Sequence, residues 1–326
     1  MKLSKRFFII SLIGVLLLLI IGQVLAATSP TLGYAESFVV LGHTAIVNVP
    51  NSVIFGDVGL SPAASNFYTG LTTPEVTGFI YTVNASGNPG WVENKTLVDN
   101  AQLANTAAYL ALSAGDNAAC TADYGGVTED LSGKTLVPGV YCARDFLLTN
   151  ANGPLTLDNS IDPRGVWIFR SESTLITSSG VGATVRFADV NVNSSCNVWW
   201  QVGSSATIGV GSSFIGNILA LASIELMTNA HLEGRAFAQT GAVRMDRITI
   251  TYPTCVFPQS PTARPRRTAV PDDEEGSGLP AFPGTGSGAV IFNEMSPWSF
   301  LLFGGVFTFA LMLGVRSLRK SDHLKK

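Results

Sequence analysis

The chain has 326 residues, of which 13% are charged, with a formal net charge of −3 and 33 glycines. That composition fits a β-rich extracellular protein better than a cytosolic enzyme. Residues 27–257 carry 9 basic and 17 acidic side chains, so no basic patch exists to hold a phosphate backbone and a nucleic-acid partner is excluded.

At the start, Lys2, Lys5 and Arg6 precede an apolar run that ends in small residues, Val24 and Ala26 among them. This order predicts a secretory signal over residues 1–26, cut after Ala26, with an uncleaved anchor as the alternative. Next comes the stretch NSVIFGDVGL, residues 51–60, which returns as SSFIGNILAL (212–221) and as AHLEGRAFAQ (230–239). The three share an apolar residue, a glycine and an apolar residue at alternate positions: Ile54, Gly56 and Val58; Phe214, Gly216 and Ile218; Leu232, Gly234 and Ala236. Alternation puts each set on one face of a strand, and stacked apolar columns are what a β-solenoid buries between its coils. Gly56 stands far from the other two, so one rung is separated from its siblings.

Residues 93–113 break the alternation. Leu97, Ala101, Ala104, Ala108 and Ala111 recur at helical spacing, which predicts one long helix against the coils. Apolar outward residues of the rungs, Ile215, Leu219 and Phe237, offer a surface for it. A second echo pairs GVWIFRSESTLITSSG (165–180) with NVWWQVGSSATIGVGS (197–212), placing Trp167 beside Trp199 and Thr174 beside Ala206 or Thr207.

The four cysteines allow three pairings. In an exported chain disulfides are the default. Cys120 and Cys142 flank a short irregular segment, while Cys196 precedes and Cys255 follows the last rungs, so Cys120 is expected to bond Cys142 and Cys196 to bond Cys255. No C-x-x-C is present and there are 3 histidines, so neither a metal nor a cofactor is expected.

Residues 258–296 form a Pro/Gly/Ser-rich linker in which RPRR is followed by DDEE. Within it FPGTG, which begins at Phe282 and ends at Gly286, resembles a sortase sorting signal and offers wall attachment as a minor alternative. Residues 297–315 are predicted to span a membrane once. From Trp298 to Val315 no residue is charged, and this stretch as a helix reaches about 27 Å. The tail 316–326, with Arg316, Arg319, Lys320, Lys325 and Lys326, suits the cytoplasmic side. Residues 27–257 are therefore expected outside the cell, tethered to the membrane at the C-terminal end.

SPAASNFYTGL, DLSGKTLVPGVYC, GVWIF, CNVWWQVGSSATIGVGSSFIGNILAL and HLEGRAFAQTGAVRMDRITI together resemble the microbial ice-binding protein family with a discontinuous β-solenoid. The resemblance spans about residues 35–257. It implies a mainly β fold, a right-handed solenoid of triangular section with one long helix alongside, whose first strands join coils formed late in the chain. It also implies binding to an ice crystal surface through a flat solenoid face, with no enzymatic activity.

Physical chemistry supports such a role. Rungs about 4.8 Å apart can hold water near ice-lattice positions, and small hydroxyl and methyl groups order that water without moving. The hydroxyl residues offered for this contact are Thr174, Thr177, Ser205, Thr207, Thr228, Thr240, Thr249 and Thr251. Alignment of the rungs also sets Glu225 and Arg244 in the column of Thr207, with His231 and Glu233 replacing further small polar residues. These charges favour a rival reading, an adhesin or envelope protein of the same fold that binds glycan or protein. For an enzyme, the best polar set is Asp57, Arg235 and Asn217 in one outward column, which a cross-strand charge pair on the surface explains better.

Overall fold

A computed structural model describes residues 26–255 apart from 116, 150, 181, 182, 192 and 193. The signal up to residue 25, the linker 258–296, the span 297–315 and the tail 316–326 lie outside the described residues. Among the described residues no helix is long and apolar enough to cross a membrane.

From residue 122 onward the chain coils through three parallel sheets in turn. One sheet takes Gly139–Ala143, Trp167–Ser171 and Val198–Val202; a second takes Asp145–Leu148, Leu175–Thr177 and Ala206–Ile208; a third takes Leu155–Leu157 and Val185–Phe187. The eight-residue strands Ser213–Ala220 and His231–Ala238 each serve two sheets, and they pair residue for residue from Ser213 with His231 to Ala220 with Ala238. The corner inside them is made by glycine. Gly216 and Gly234 have φ of 120° and 154°, and a Cβ on Gly234 would stand 2.0 Å from the Gly216 carbonyl oxygen. No other residue fits that backbone and that approach.

The early rung finds its place on this stack. Phe38–Gly42 pairs with His231–Ala238, Ile46–Val49 with Val243–Asp246, and Val53–Ile54 with Thr249–Thr251. The first coil of the sequence thus continues the last one. Ile54 lies over Ile250, itself beside Leu232, and Val58 lies beside Val40, itself beside Ala236. The three glycine rungs share their inward columns, with one coil assembled from both ends of the chain between them.

Arg235 locks that seam. Its guanidinium is 2% exposed and donates to Asn217 Oδ1 (2.9 Å), to Glu36 Oε1 (3.1 Å), to the Phe38 carbonyl (3.2 Å) and to the Tyr252 hydroxyl (2.9 Å). Asp57 is not its partner, contrary to the column read from sequence. Asp57 Oδ1 instead accepts from the Phe79 backbone N–H (2.8 Å). The polar set is a structural lock joining first strand to last, as a buried cation requires.

The core consists of aligned inward columns. Tyr141, Phe169, Trp200, Ile218, Ala236, Val40, Val58 and Ile80 run in register along one sheet. Phe169 and Trp200 stack with ring centres 3.9 Å apart. This register corrects the echo. Trp167 is beside Val198 and Ile168 is beside Trp199, one residue from the alignment of the two tryptophans. A slip of one turns a side chain to the opposite face. Trp167 therefore points into the coil while Trp199 points out.

Trp199 meets the helix. The helix runs Lys95–Ala111 with Asn94 as its N-cap, accepting from the Leu97 N–H at 3.1 Å. Its buried residues Val98, Ala101, Asn105 and Ala108 are at helical spacing. The small ones let it lie close on Phe38, Leu41, Ile168, Trp199, Leu219 and Phe237. Leu219 and Phe237 are covered as expected. Ile215 is not: it precedes the Gly216 corner and so belongs to the third sheet. The orphan carbonyls at the helix end, of Leu112 and Ser113, accept from the buried Arg170. Disulfides join Cys120 to Cys142, with Cα atoms 5.9 Å apart, and Cys196 to Cys255, at 5.4 Å.

Candidate functional site

The helix occupies the outside of one sheet. The third sheet is short and is completed by halves of the long strands. The second sheet is the broad one that no other element covers among the described residues. It has eight strands, in the order Tyr68–Thr69, Ile46–Val49, Val243–Asp246, Ile224–Leu226, Ala206–Ile208, Leu175–Thr177, Asp145–Leu148 and Thr128–Asp130. Parallel sheets are almost always covered on both faces. Here Ile176, at 41% exposure, and Glu225 and Arg244 point outward into solvent.

The backbone register aligns one outward residue per strand. The column reads Thr69, Val47, Arg244, Glu225, Thr207, Ile176, Leu147 and Asp130. Its two halves differ in chemistry. Leu147, Ile176 and Thr207 form three consecutive uncharged rungs. Glu225 and Arg244 follow, opposite in sign and aligned, yet neither side chain has a hydrogen bond or ion pair among the described residues.

The acidic residues in the first half are all tied down. Asp145 accepts from Arg144 Nε (2.6 Å), from Thr174 N (3.0 Å) and Oγ1 (2.8 Å), and from Thr128 Oγ1 (3.1 Å). The Arg144 bond leads in holding this carboxyl far below the usual carboxylate range, and the threonine bonds add to it. Burial alone would raise Asp130, but bonds from Thr149 Oγ1 (2.6 Å) and Ser132 Oγ (2.7 Å) outweigh it and lower its pKa. Ser205 Oγ accepts from the Ser223 N–H (3.3 Å), and Ser223 Oγ from the Ala242 N–H (3.2 Å), extending the ladder along the sheet edge. In this half, protein donors satisfy the charges.

The predicted hydroxyls are scattered over the coil. Thr207 sits in the centre of the open sheet. Thr174 and Ser205 lie on its edge, in the ladder just described. Thr228 is at the opposite edge, its hydroxyl bonded to Asp246. Thr240 is at the corner toward the helix and donates to the Leu221 carbonyl at 2.6 Å. Thr249 and Thr251 belong to the short sheet, beside His231 and Glu233. Those two residues are therefore on a different face from Glu225 and Arg244, because they precede the Gly234 corner. Thr177 leaves the set altogether. It is 3% exposed, faces inward, accepts from the Gly209 N–H at 2.7 Å and lies 3.1 Å from Ser212 Oγ.

Leu147, Ile176, Asp130 and Asp145 were not anticipated for the open sheet. The alternation in STLIT, with Leu175 and Thr177 inward and Ile176 outward, carries the signal for one of them. Among the described residues no three His, Cys, Asp or Glu side chains converge as metal ligands.

Residues 40–251 match the family described as Ice-binding-like. An ice-binding protein of Nostoc sp. (strain HG1) is 37% identical over 241 residues, 74% of this chain and 80% of that protein. One from Leucosporidium sp. (strain AY30) is 32% identical over 250 residues, 71% of this chain and 86% of that one. Among solved structures, an ice-binding protein from an Antarctic biological consortium covers 70% of this chain and 93% of its own, with 32% identity and a TM-score of 0.58. The ice-binding protein of an Arctic yeast covers 73% and 98%, with 28% identity and a TM-score of 0.58.

Proposed function

The chain belongs to the Ice-binding-like family, and from that premise we propose that it binds ice through the outer face of its open sheet, without catalysis, as a right-handed coil of triangular section. One observation carries the reading. Eight parallel strands in continuous register have an outer face that such sheets normally bury and that is bare among the described residues. Their spacing of about 4.8 Å repeats rigidly, so water held over one rung is held over the next. A rigid surface orders that water without losing side-chain freedom on contact. Leu147, Ile176 and Thr207 supply methyl groups and a hydroxyl on three consecutive rungs of it.

The sequence signals for export over residues 1–26 and for a span over 297–315 support placing this sheet outside the cell on a tether. On such a tether a cell could hold to ice or keep nearby brine liquid. The Phe282 to Gly286 motif supports wall attachment less well, because the apolar run starts late after it. An adhesin that binds glycan or protein is the second reading, and the exposed Glu225 and Arg244 are what favour it.

The test is thermal hysteresis and ice recrystallisation inhibition by the full chain, with detergent controls. Crystal shaping is expected, and Thr207→Tyr is expected to abolish it while leaving the melting temperature in place. No shaping and no recrystallisation inhibition at micromolar protein would end the ice reading. Activity untouched by Thr207→Tyr would move the contact to another face.

A further inference from the structure

The open sheet is continuous in its backbone but divided in its chemistry, and that division bears on how it would meet ice. This inference rests on the ice-binding reading. We propose that ice contact is confined to the half of the sheet built from Asp145–Leu148, Leu175–Thr177 and Ala206–Ile208, and that Glu225 and Arg244 are the residues that limit the contact to that half.

Three observations carry it. First, the central column runs uncharged through Leu147, Ile176 and Thr207 and meets Glu225 and Arg244 on the next two rungs. Second, the charges of the two halves are treated differently. Asp130 and Asp145 have their oxygens occupied by Ser132, Thr149, Thr174, Thr128 and Arg144, so they need little from solvent. Glu225 and Arg244 are exposed and lack a protein partner among the described residues, so water alone solvates them. Placing ice over them would strip or rearrange that hydration, which is costly for a charge without a compensating partner. Third, the surface dips at those rungs. A depression of about 270 Å³ is lined by Val47, Val49, Glu225, Met227, Arg244 and Asp246 among others. A flat lattice plane cannot follow it.

The ladder has a second consequence for the favourable half. The hydroxyls of Thr128, Thr149 and Thr174 donate to carboxylates of their own sheet. Those hydroxyl hydrogens are fixed before any contact, and Asp130 and Asp145 act as positioning residues for that edge.

Removing the limit should enlarge the contact. Val47 and Thr69 lie beyond Arg244 in the column, so the double substitution Glu225→Thr with Arg244→Thr would extend three uncharged rungs to seven. Threonine suits a solvent-facing strand, so the fold is expected to hold. Recrystallisation inhibition and thermal hysteresis should be measured on the full chain, with circular-dichroism melts to check folding. The double variant is expected to be roughly twofold more active at equal concentration, in proportion to the rungs at about 4.8 Å spacing that become continuous. The charge-swapped control, Glu225→Arg with Arg244→Glu, keeps both charges and is expected to show no gain. A folded double-Thr variant no more active than an active wild type would overturn the division while leaving ice binding intact. A gain in the charge-swapped control would overturn it as well. Absence of activity in the wild type and every variant would remove the ice reading and this inference with it.

Discussion

The helix-covered sheet and the open sheet are made by the same turns of chain, in the same register, yet their outward columns have opposite fates. On the covered sheet Leu41, Ile168, Trp199, Leu219 and Phe237 are buried in one cluster with Ala101 and Ala108 of the helix. On the open sheet the equivalent positions are Leu147, Ile176, Thr207, Glu225 and Arg244, half-buried or exposed. The inward columns of the two sheets are alike and largely apolar, with Asn48 and Thr177 the polar exceptions on the open sheet. Stacking therefore specifies the coil, and outward chemistry decides what each sheet does. The helix uses one outer surface to complete the core and leaves one broad surface free for contact with something outside the molecule.

The largest expected effect tests that separation of roles. Phe237→Ala removes a fully buried ring from beneath the helix and should cost about 3–5 kcal/mol of stability. Urea unfolding followed by circular dichroism reads the loss. Activity per folded molecule should be unchanged, because Phe237 faces away from the open sheet. A fall in ice activity beyond the loss of folded protein would show that the two surfaces are coupled and would break the comparison.

An intermediate effect is expected at Asp145, which belongs to the open sheet but behaves as structure. Its carboxyl is held below its unfolded value, chiefly by Arg144 and then by Thr174 and Thr128. A depressed carboxyl stabilises the fold above the unfolded pKa of about 4 and loses that contribution as pH falls toward the folded value. Asp145→Asn should therefore be less stable than wild type at neutral pH, with the gap narrowing by about pH 2.5. Thermal melts at the two pH values decide it. An equal gap at both would mean that the carboxylate charge contributes nothing there.

Much of the coil was legible in the chain itself. The Gly56, Gly216 and Gly234 rungs lie in common columns, the helix occupies Lys95–Ala111 within the anticipated 93–113, and both cysteine pairs formed as their positions along the chain suggested. The misreadings have one physical origin. A strand alternates with period two, so an error of one residue exchanges inside for outside. Aligning Trp167 with Trp199 looked natural because both are tryptophans. The register is set instead by Trp200, whose ring stacks on Phe169. Thr177 went wrong the same way, because Thr174, three residues earlier, has the opposite parity. His231 and Glu233 were assigned to the wrong face for a different reason. A left-handed glycine turns a strand from one sheet to another, and composition alone does not mark where that happens. The hydrogen-bonded ladder of Asp130 and Asp145 joins residues on neighbouring rungs, whose offsets vary along the chain, so no fixed period exposes it.

The smallest expected effect is also the sharpest for the open sheet. Ile176 is the exposed centre of the uncharged rungs, between Leu147 and Thr207. Ile176→Thr keeps a β-branched side chain of similar reach and loses no buried contact of consequence. Its effect on stability should stay within about 0.5 kcal/mol, and the effect on ice activity should be correspondingly slight. Ile176→Glu is equally tolerable to the fold at an exposed site, but it puts a charge without a partner in the middle of the contact. Recrystallisation inhibition by the two variants, at matched melting temperature, separates shape from hydration. If ice contact depends on the absence of unsatisfied charge, threonine is silent and glutamate abolishes activity. Should glutamate be silent too, hydration of single charges would not govern contact, and Glu225 and Arg244 would lose their claim to limit it. The difference between the covered and the open sheet would then lie in geometry alone.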